Sequence, residues 1–164
     1  MIRKIIVMGV SGCGKSSMGQ KLAGHYGYPF FDGDDYHSDA NVEKMRQGIP
    51  LTDEDRFGWL DTLNGILKGN DTAVVACSSL KPIYRDILRN GVEDLAIVYL
   101  QGDFDTIWQR HQKRAGHYFN GKSMLESQFA TLEEPIGEAD VIAVDISQSL
   151  DEVFAQSVAA LEAS

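Results

Sequence analysis

Gly9-Val10-Ser11-Gly12-Cys13-Gly14-Lys15-Ser16 decides the fold of this chain. The stretch fits G-x-x-x-x-G-K-[ST], the pattern of a phosphate-binding loop. Its flanks are those the pattern requires. Lys4 to Met8 (KIIVM) is a short apolar run rich in β-branched residues and predicts a buried strand, while Ser16 to Tyr26 predicts a helix. A chance match in a glycine-rich turn would lack this strand–loop–helix context.

The residue types follow from the chemistry. Several backbone N–H groups must converge on one anion, and side chains would obstruct that approach. Glycines at 9, 12 and 14 remove the obstruction and permit positive φ. The helix beginning near Lys15 aims its N-terminal N–H groups and partial positive charge at the phosphates. Lys15 reaches the β- and γ-phosphates, and the Ser16 hydroxyl can ligate Mg²⁺. The expected nucleotide-binding set is Gly9, Ser11, Gly12, Cys13, Gly14, Lys15, Ser16 and Ser17. The motif implies a nucleoside triphosphate, with ATP and Mg²⁺ as the expected cofactors.

Outside the loop, 164 residues suit one domain, 1–164, with 43% apolar residues, ordinary for a globule. No apolar run approaches the ~20 residues of a membrane span. The chain enters its first strand almost at once, so no signal peptide and a cytoplasmic setting are expected. A net charge of −9, from 24 acidic and 15 basic residues, argues against nucleic acid as a partner. It says little about a small anionic substrate, because a few arginines can reverse the field within a cleft. The two cysteines, Cys13 and Cys77, have no metal-ligand spacing. Cys13 reads either as a small residue at a variable loop position or as a thiol whose oxidation would block ATP binding.

Strands and helices alternate along the whole chain. Tyr28 to Asp32 reads as a second strand, Thr72 to Cys77 (TAVVAC) as a third, Leu95 to Leu100 as a fourth and Asp140 to Ile146 as a fifth. Between them, Asn41 to Gln47 predicts a short helix closed by Gly48 and Pro50. Thr52 with Asp55 predicts a capped helix through Trp59, Leu63 and Leu67. Further helices are expected over Lys81 to Arg89, from Phe104 onward, and after the capping pair Ser149 and Glu152. Such alternation implies an α/β fold with a parallel five-stranded sheet, helices on both faces, and ligands at the C-terminal strand ends. His111 to Gly121 (HQKRAGHYFNG) is basic and glycine-punctuated and reads as a small lid, at about 111–125.

Candidate chemistry clusters after the second strand, at Asp32-Gly33-Asp34-Asp35. If the strand continues to Asp34, the two-residue period puts Asp32 and Asp34 on one side. One carboxylate could hold a Mg²⁺-bound water; the other could accept a proton from an acceptor hydroxyl. The plain alternative is a solvated acidic turn. His37, Lys44 and Arg56 could bind an anionic acceptor, as could Lys81 and Arg85 in a basic stripe, Lys81/Arg85/Arg89, at spacing four. Each could equally be a surface charge. Arg110, Lys113 and Arg114 lead into the lid, where a cation arriving on closure can stabilise the transferring phosphoryl group and exclude water. His117 is a weaker candidate. Many phosphate-loop enzymes end a neighbouring strand with a Mg²⁺-linked aspartate, but TAVVAC runs into Ser78-Ser79. The Asp32/Asp34 pair would have to supply that carboxylate.

These segments resemble the gluconokinase family, small kinases related to the shikimate kinases. The resemblance rests on MGVSGCGKS at Met8 to Ser16, FDGDDYH at Phe31 to His37, NVEKMRQGIPLTDEDRFGWL at Asn41 to Leu60, and CSSLKPIYRDILR at Cys77 to Arg89. It extends through YLQGDFDTI at Tyr99 to Ile107, RAGHYF at Arg114 to Phe119, SQFATLEEP at Ser127 to Pro135, and VDI at Val144 to Ile146. The match runs nearly end to end. It implies a three-layer phosphate-loop kinase fold with sheet order 2-3-1-4-5, and ATP-dependent phosphorylation of D-gluconate at its 6-hydroxyl. The products would be 6-phospho-D-gluconate and ADP, feeding gluconate catabolism and the pentose phosphate pathway. It further implies Mg²⁺ and a homodimer. By analogy with shikimate kinases, Asp34 would deprotonate the acceptor, Asp32 and Ser16 would hold Mg²⁺, and Lys15 would serve catalysis. His37, Lys44, Arg56, Lys81, Arg85 and His117 would line the acceptor, and Arg110 and Arg114 would approach ATP. Cys13 stands where the family often has serine. Two alternatives remain open on sequence: a kinase for another sugar acid or for shikimate, and a nucleotide-binding regulatory module without transfer activity.

Overall fold

The computed structural model describes residues 2–112 and 121–163. Five strands form one parallel sheet: β1 (Lys4–Met8), β2 (Phe30–Asp32), β3 (Ala73–Ala76), β4 (Leu95–Gln101) and β5 (Val141–Asp145). Their order across the sheet is β2-β3-β1-β4-β5, as the resemblance implies. The register pairs Ile6 of β1 with Val75 on one side and Ile97 on the other. Every residue of β1 and β3 is buried. That is why these segments read as unbroken apolar runs rather than alternating ones. β5 closes one edge and is only partly buried.

The helices described are α1 (Lys15–Tyr26), α2 (Asp39–Arg46), α3 (Asp53–Gly69), α4 (Pro82–Arg89), α5 (Phe104–Gln112), α6 (Gly121–Thr131) and α7 (Leu150–Glu162). Both expected capping boxes form, Thr52 with Asp55 on α3 and Ser149 with Glu152 on α7. Helices α1 and α7 pack together beside the sheet, and α3 packs on α4 and β3. The core runs from Leu22 on α1 through Ile6, Val75 and Ile97 of the sheet to Leu60 and Leu63 on α3.

Two expectations need correction. β2 stops at Asp32, and Gly33–Tyr36 is a single 3₁₀ turn, so strand alternation does not relate Asp32 to Asp34. Helix α6 was not among the helices expected from the sequence. The ends of the lid expected at about 111–125 fall in α5 and α6; its central part, with Lys113, Arg114 and His117, lies outside the described residues. Among the described residues, no helix is long and apolar enough to cross a membrane.

Candidate active site

The three middle strands of this order, β3, β1 and β4, and the edge strand β2 all point their C-terminal ends the same way. The phosphate loop leaves β1 at Gly9, whose N–H donates to Ser78 O at 3.3 Å beyond β3. Gly12 (φ 85°) and Gly14 (φ 94°) hold left-handed backbone that a Cβ would strain, and Gly14 leads into α1 without a side-chain cap. The first N–H groups of α1 are therefore available to an anion, as the helix dipole favours. The Lys15 ammonium donates to Val10 O at 3.1 Å, folded over the loop. Cys13 is 2% exposed and packs into the core, although it also lines the pocket beside Gly12 and Gly14, so its burial does not support the reading of a readily oxidised thiol.

Asp32 does reach the loop, since Ser16 Oγ donates to Asp32 Oδ2 at 2.7 Å. Its other oxygen accepts the Asp34 N–H at 3.1 Å and so caps the 3₁₀ turn. A Cβ at Gly33 would stand 2.4 Å from Ala76 O, so only glycine lets the chain turn this close to β3. The indole N–H of Trp59 fixes the same turn by donating to Gly33 O at 2.7 Å. The outcome is that Asp32 faces the loop hydroxyl while Asp34 borders a cleft with Ser11, Lys15, His37, Arg56, Ser78 and Gln128.

His37 stacks on Trp59, with ring centroids 4.1 Å apart. The Asn41 amide donates to Asp55 O at 2.8 Å, and its nitrogen lies 3.4 Å from His37 Nδ1. An amide N–H can only donate, so Nδ1 is the acceptor and the ring proton sits on Nε2. That nitrogen faces Asp34 Oδ1 at 3.9 Å. Burial, reinforced by the positive charge of Arg56, lowers the His37 pKa to about 4. The ring is therefore neutral at pH 7.

The remaining basic candidates divide. Arg56 lines the cleft and donates to the Tyr84 hydroxyl at 3.0 Å. Lys44 instead pairs with Asp55 at 2.7 Å and holds that carboxylate down to about 2, while Lys81 pairs with Asp53 at 2.9 Å. Neither ammonium is among the groups lining the cleft. Arg85 departs furthest from expectation. Its side chain is 0% exposed and is spent on Glu138, Ser79 O and Glu133 O. It anchors the turn after β3, where Ser79 has φ 52°, and it does not reach the acceptor side. Arg110 donates to the carbonyls of Ile146 and Gln148 beside a second pocket, formed with Gly12, Ser17, Leu100, Leu150 and Val153. This pocket flanks the outer side of the phosphate loop, where an apolar wall suits a nucleotide base.

Gln128 on α6 was not singled out as a site residue. Its Oε1 accepts the Ser11 N–H of the phosphate loop at 2.6 Å, tying α6 to the loop. The one sequence signal for it is its place in the S-Q-F segment at Ser127 to Phe129.

The donor set fits the implied cofactors. A hydroxyl and a carboxylate, Ser16 and Asp32, already share a hydrogen bond beside a helix N-terminus, and Mg²⁺ takes such hard oxygen ligands together with phosphate oxygens and water. Among the described residues, no cluster of three or more His, Cys, Asp or Glu could hold a metal by itself.

Comparison with known proteins agrees with this geometry. The family model described as shikimate kinase matches residues 11–162. The chain is 47% identical to the thermosensitive gluconokinase of Escherichia coli (strain K12) over 156 residues, covering 92% of this chain and 83% of that protein. It is 44% identical to the thermoresistant gluconokinase of the same strain, over 93% of this chain and 90% of that protein. The crystal structure of a gluconokinase from Sinorhizobium meliloti 1021 superposes with a TM-score of 0.92 at 45% identity, covering 98% of this chain and 91% of that one. With loop, sheet order and relatives in accord, the chain belongs to the shikimate kinase family and, within it, to the gluconokinases.

Proposed function

We propose that this protein transfers the γ-phosphoryl group of ATP to the 6-hydroxyl of D-gluconate, giving 6-phospho-D-gluconate and ADP for gluconate catabolism and the pentose phosphate pathway. The observation that carries the reading is the convergence of Lys15, Asp34 and Arg56 on one cleft, next to the Ser16–Asp32 pair. A relay of this kind needs an anion cradle, an acceptor base and a cation for the substrate carboxylate, and each has a residue here. The names of the relatives supply the acceptor.

The loop N–H groups and Lys15 bind and orient the triphosphate. Asp34 takes the proton of the acceptor hydroxyl as its oxygen bonds to the γ-phosphorus and the bond from that phosphorus to the β–γ bridging oxygen breaks. Arg56 receives the carboxylate end of the acceptor. His37, neutral and stacked on Trp59, offers its Nε2–H on the Asp34 side and fixes a donor without adding charge. Mg²⁺, when bound, neutralises charge on the phosphate oxygens; Ser16, with Asp32 through water, would hold it. Arg110 borders the nucleotide pocket, and Arg114 belongs to the proposed lid. Catalysis is mainly positioning and electrostatics.

Phosphorus and carbon NMR of the products tests the finer claims. A phosphate ester coupled to carbon 6 of gluconate is expected. Phosphorylation at another carbon, or of shikimate in a parallel reaction, would displace the assignment. Sedimentation at working concentration tests the homodimer.

A further inference from the structure

We propose that Tyr84 is a positioning residue for Arg56, and that Asp53 and Lys81 complete the support that aims this arginine at the carboxylate of the acceptor. The inference rests on the reading of Arg56 as the acceptor's anion partner. Tyr84 sits on α4, with its ring 2% exposed against α3. Lys81 lies at the start of the same helix, and Asp53 and Arg56 belong to the first turn of α3.

The direction of every hydrogen bond in this group is fixed. Asp53 Oδ1 accepts from the Tyr84 hydroxyl and also from Lys81 Nζ, at 2.9 Å. A phenol has one proton, and here it goes to Asp53. The phenol oxygen must then accept from Arg56, whose Nη1 lies 3.0 Å away. Hydrogen bonds from Tyr84 and Lys81 lower the pKa of Asp53, while burial and the Asp53 contact raise that of Tyr84. The carboxylate stays charged and the phenol stays protonated across the neutral range, so the chain Arg56→Tyr84→Asp53←Lys81 keeps one polarity.

The guanidinium carbon also sits 5.2 Å from the centre of the Tyr84 ring. The ring and the hydroxyl thus hold Arg56 in two different ways. Packing of α3 on α4 needs the ring but has no use for a hydroxyl aimed at an arginine. A long arginine unsupported at the cleft wall would sample many rotamers, and ordering it would weaken acceptor binding. The arrangement also gives Lys81 a role other than direct contact, since its charge is spent on the carboxylate that receives the phenol.

The test is steady-state kinetics of Tyr84→Phe, Arg56→Lys and the double variant, with gluconate and ATP varied separately and thermal unfolding in parallel. Tyr84→Phe keeps the ring. It should raise KM for gluconate about tenfold, the scale of a hydrogen bond to a charged group, and leave KM for ATP and kcat within a few-fold. Arg56→Lys should raise KM for gluconate at least as much. The double variant should be scarcely worse than Arg56→Lys, because the hydroxyl acts only through the arginine. Asp53→Asn should move KM the same way by less. If Arg56→Lys raises KM and Tyr84→Phe does not, the positioning role is wrong while the acceptor reading stands. A Tyr84→Phe variant that loses kcat and both KM values together with its unfolding temperature would reduce Tyr84 to a core residue. If Arg56→Lys itself leaves gluconate KM unchanged, the acceptor reading of Arg56 fails, and the inference falls with it.

Discussion

Lowering the pH from 7 to 5 should weaken this protein through His37. The side chain is 3% exposed, stacked on Trp59, accepts from the Asn41 amide at Nδ1 and lies beside the Arg56 charge. Its pKa falls from 6.5 to about 4 in the folded state. Between those values the unfolded chain binds a proton that the folded chain refuses, so stability falls as pH falls through that window and is fully present above it. The full shift corresponds to about 3 kcal/mol, and about 2 kcal/mol of it is lost between pH 7 and pH 5. The Asp34 carboxylate, 3.9 Å from the ring, opposes this shift and does not outweigh burial. The lowered carboxylates Asp53, Asp55 and Glu138 have their effect at lower pH, because their contribution is lost as pH falls through their depressed values. Urea unfolding at pH 7, 6 and 5 should therefore show a loss of about 2 kcal/mol in the wild-type protein that is mostly absent in His37→Gln. The comparison reads the slope with pH, so a constant cost of losing the Trp59 stack does not disturb it. A His37→Gln variant with the wild-type slope would refute the reasoning.

Three further outcomes follow from named contacts. Asp34→Asn should keep MgATP affinity within a few-fold and cut turnover roughly 10²-fold or more, as loss of a general base does; retained turnover in a coupled assay would remove that role. Gly33→Ala should destabilise by about 1–3 kcal/mol, because the new Cβ would fall 2.4 Å from Ala76 O and force the 3₁₀ turn apart; unchanged unfolding would contradict the close approach. Glu138→Ala should cost about 3 kcal/mol or more, since it strips the carboxylate from a guanidinium that is 0% exposed, and Arg85→Met should cost less because no charge is then left buried; calorimetry of the two variants decides the order.

The fold was largely legible because its signals are local. β1 and β3 are buried along their length and β4 from Ala96 to Leu100, so all three read as apolar runs, and the phosphate loop fixes the turn between β1 and α1. Capping at Thr52 and Ser149 was legible for the same reason, since each box closes within four residues. The site was less so. Spacing placed Lys81 and Arg85 on one helix face, but it could not say which way that face points. Arg85 points inward because Glu138, 53 residues away, comes back to meet it. The Asp32/Asp34 pair was found, yet by an argument from strand alternation that the 3₁₀ turn replaces. Beyond their places in the segments that carry the resemblance, Gln128 and Tyr84 gave no local sign of their contacts, because their partners at Ser11 and Arg56 lie 117 and 28 residues away.

The central claim is phosphoryl transfer from ATP to gluconate, and the most direct measurement is ADP release by the purified protein with MgATP, with and without D-gluconate. Strong release that depends on gluconate, with little on shikimate or other sugar acids, is the predicted result. Binding of ATP with no stimulation of ADP release by any acceptor would contradict the account and leave a nucleotide-binding module in place of a kinase.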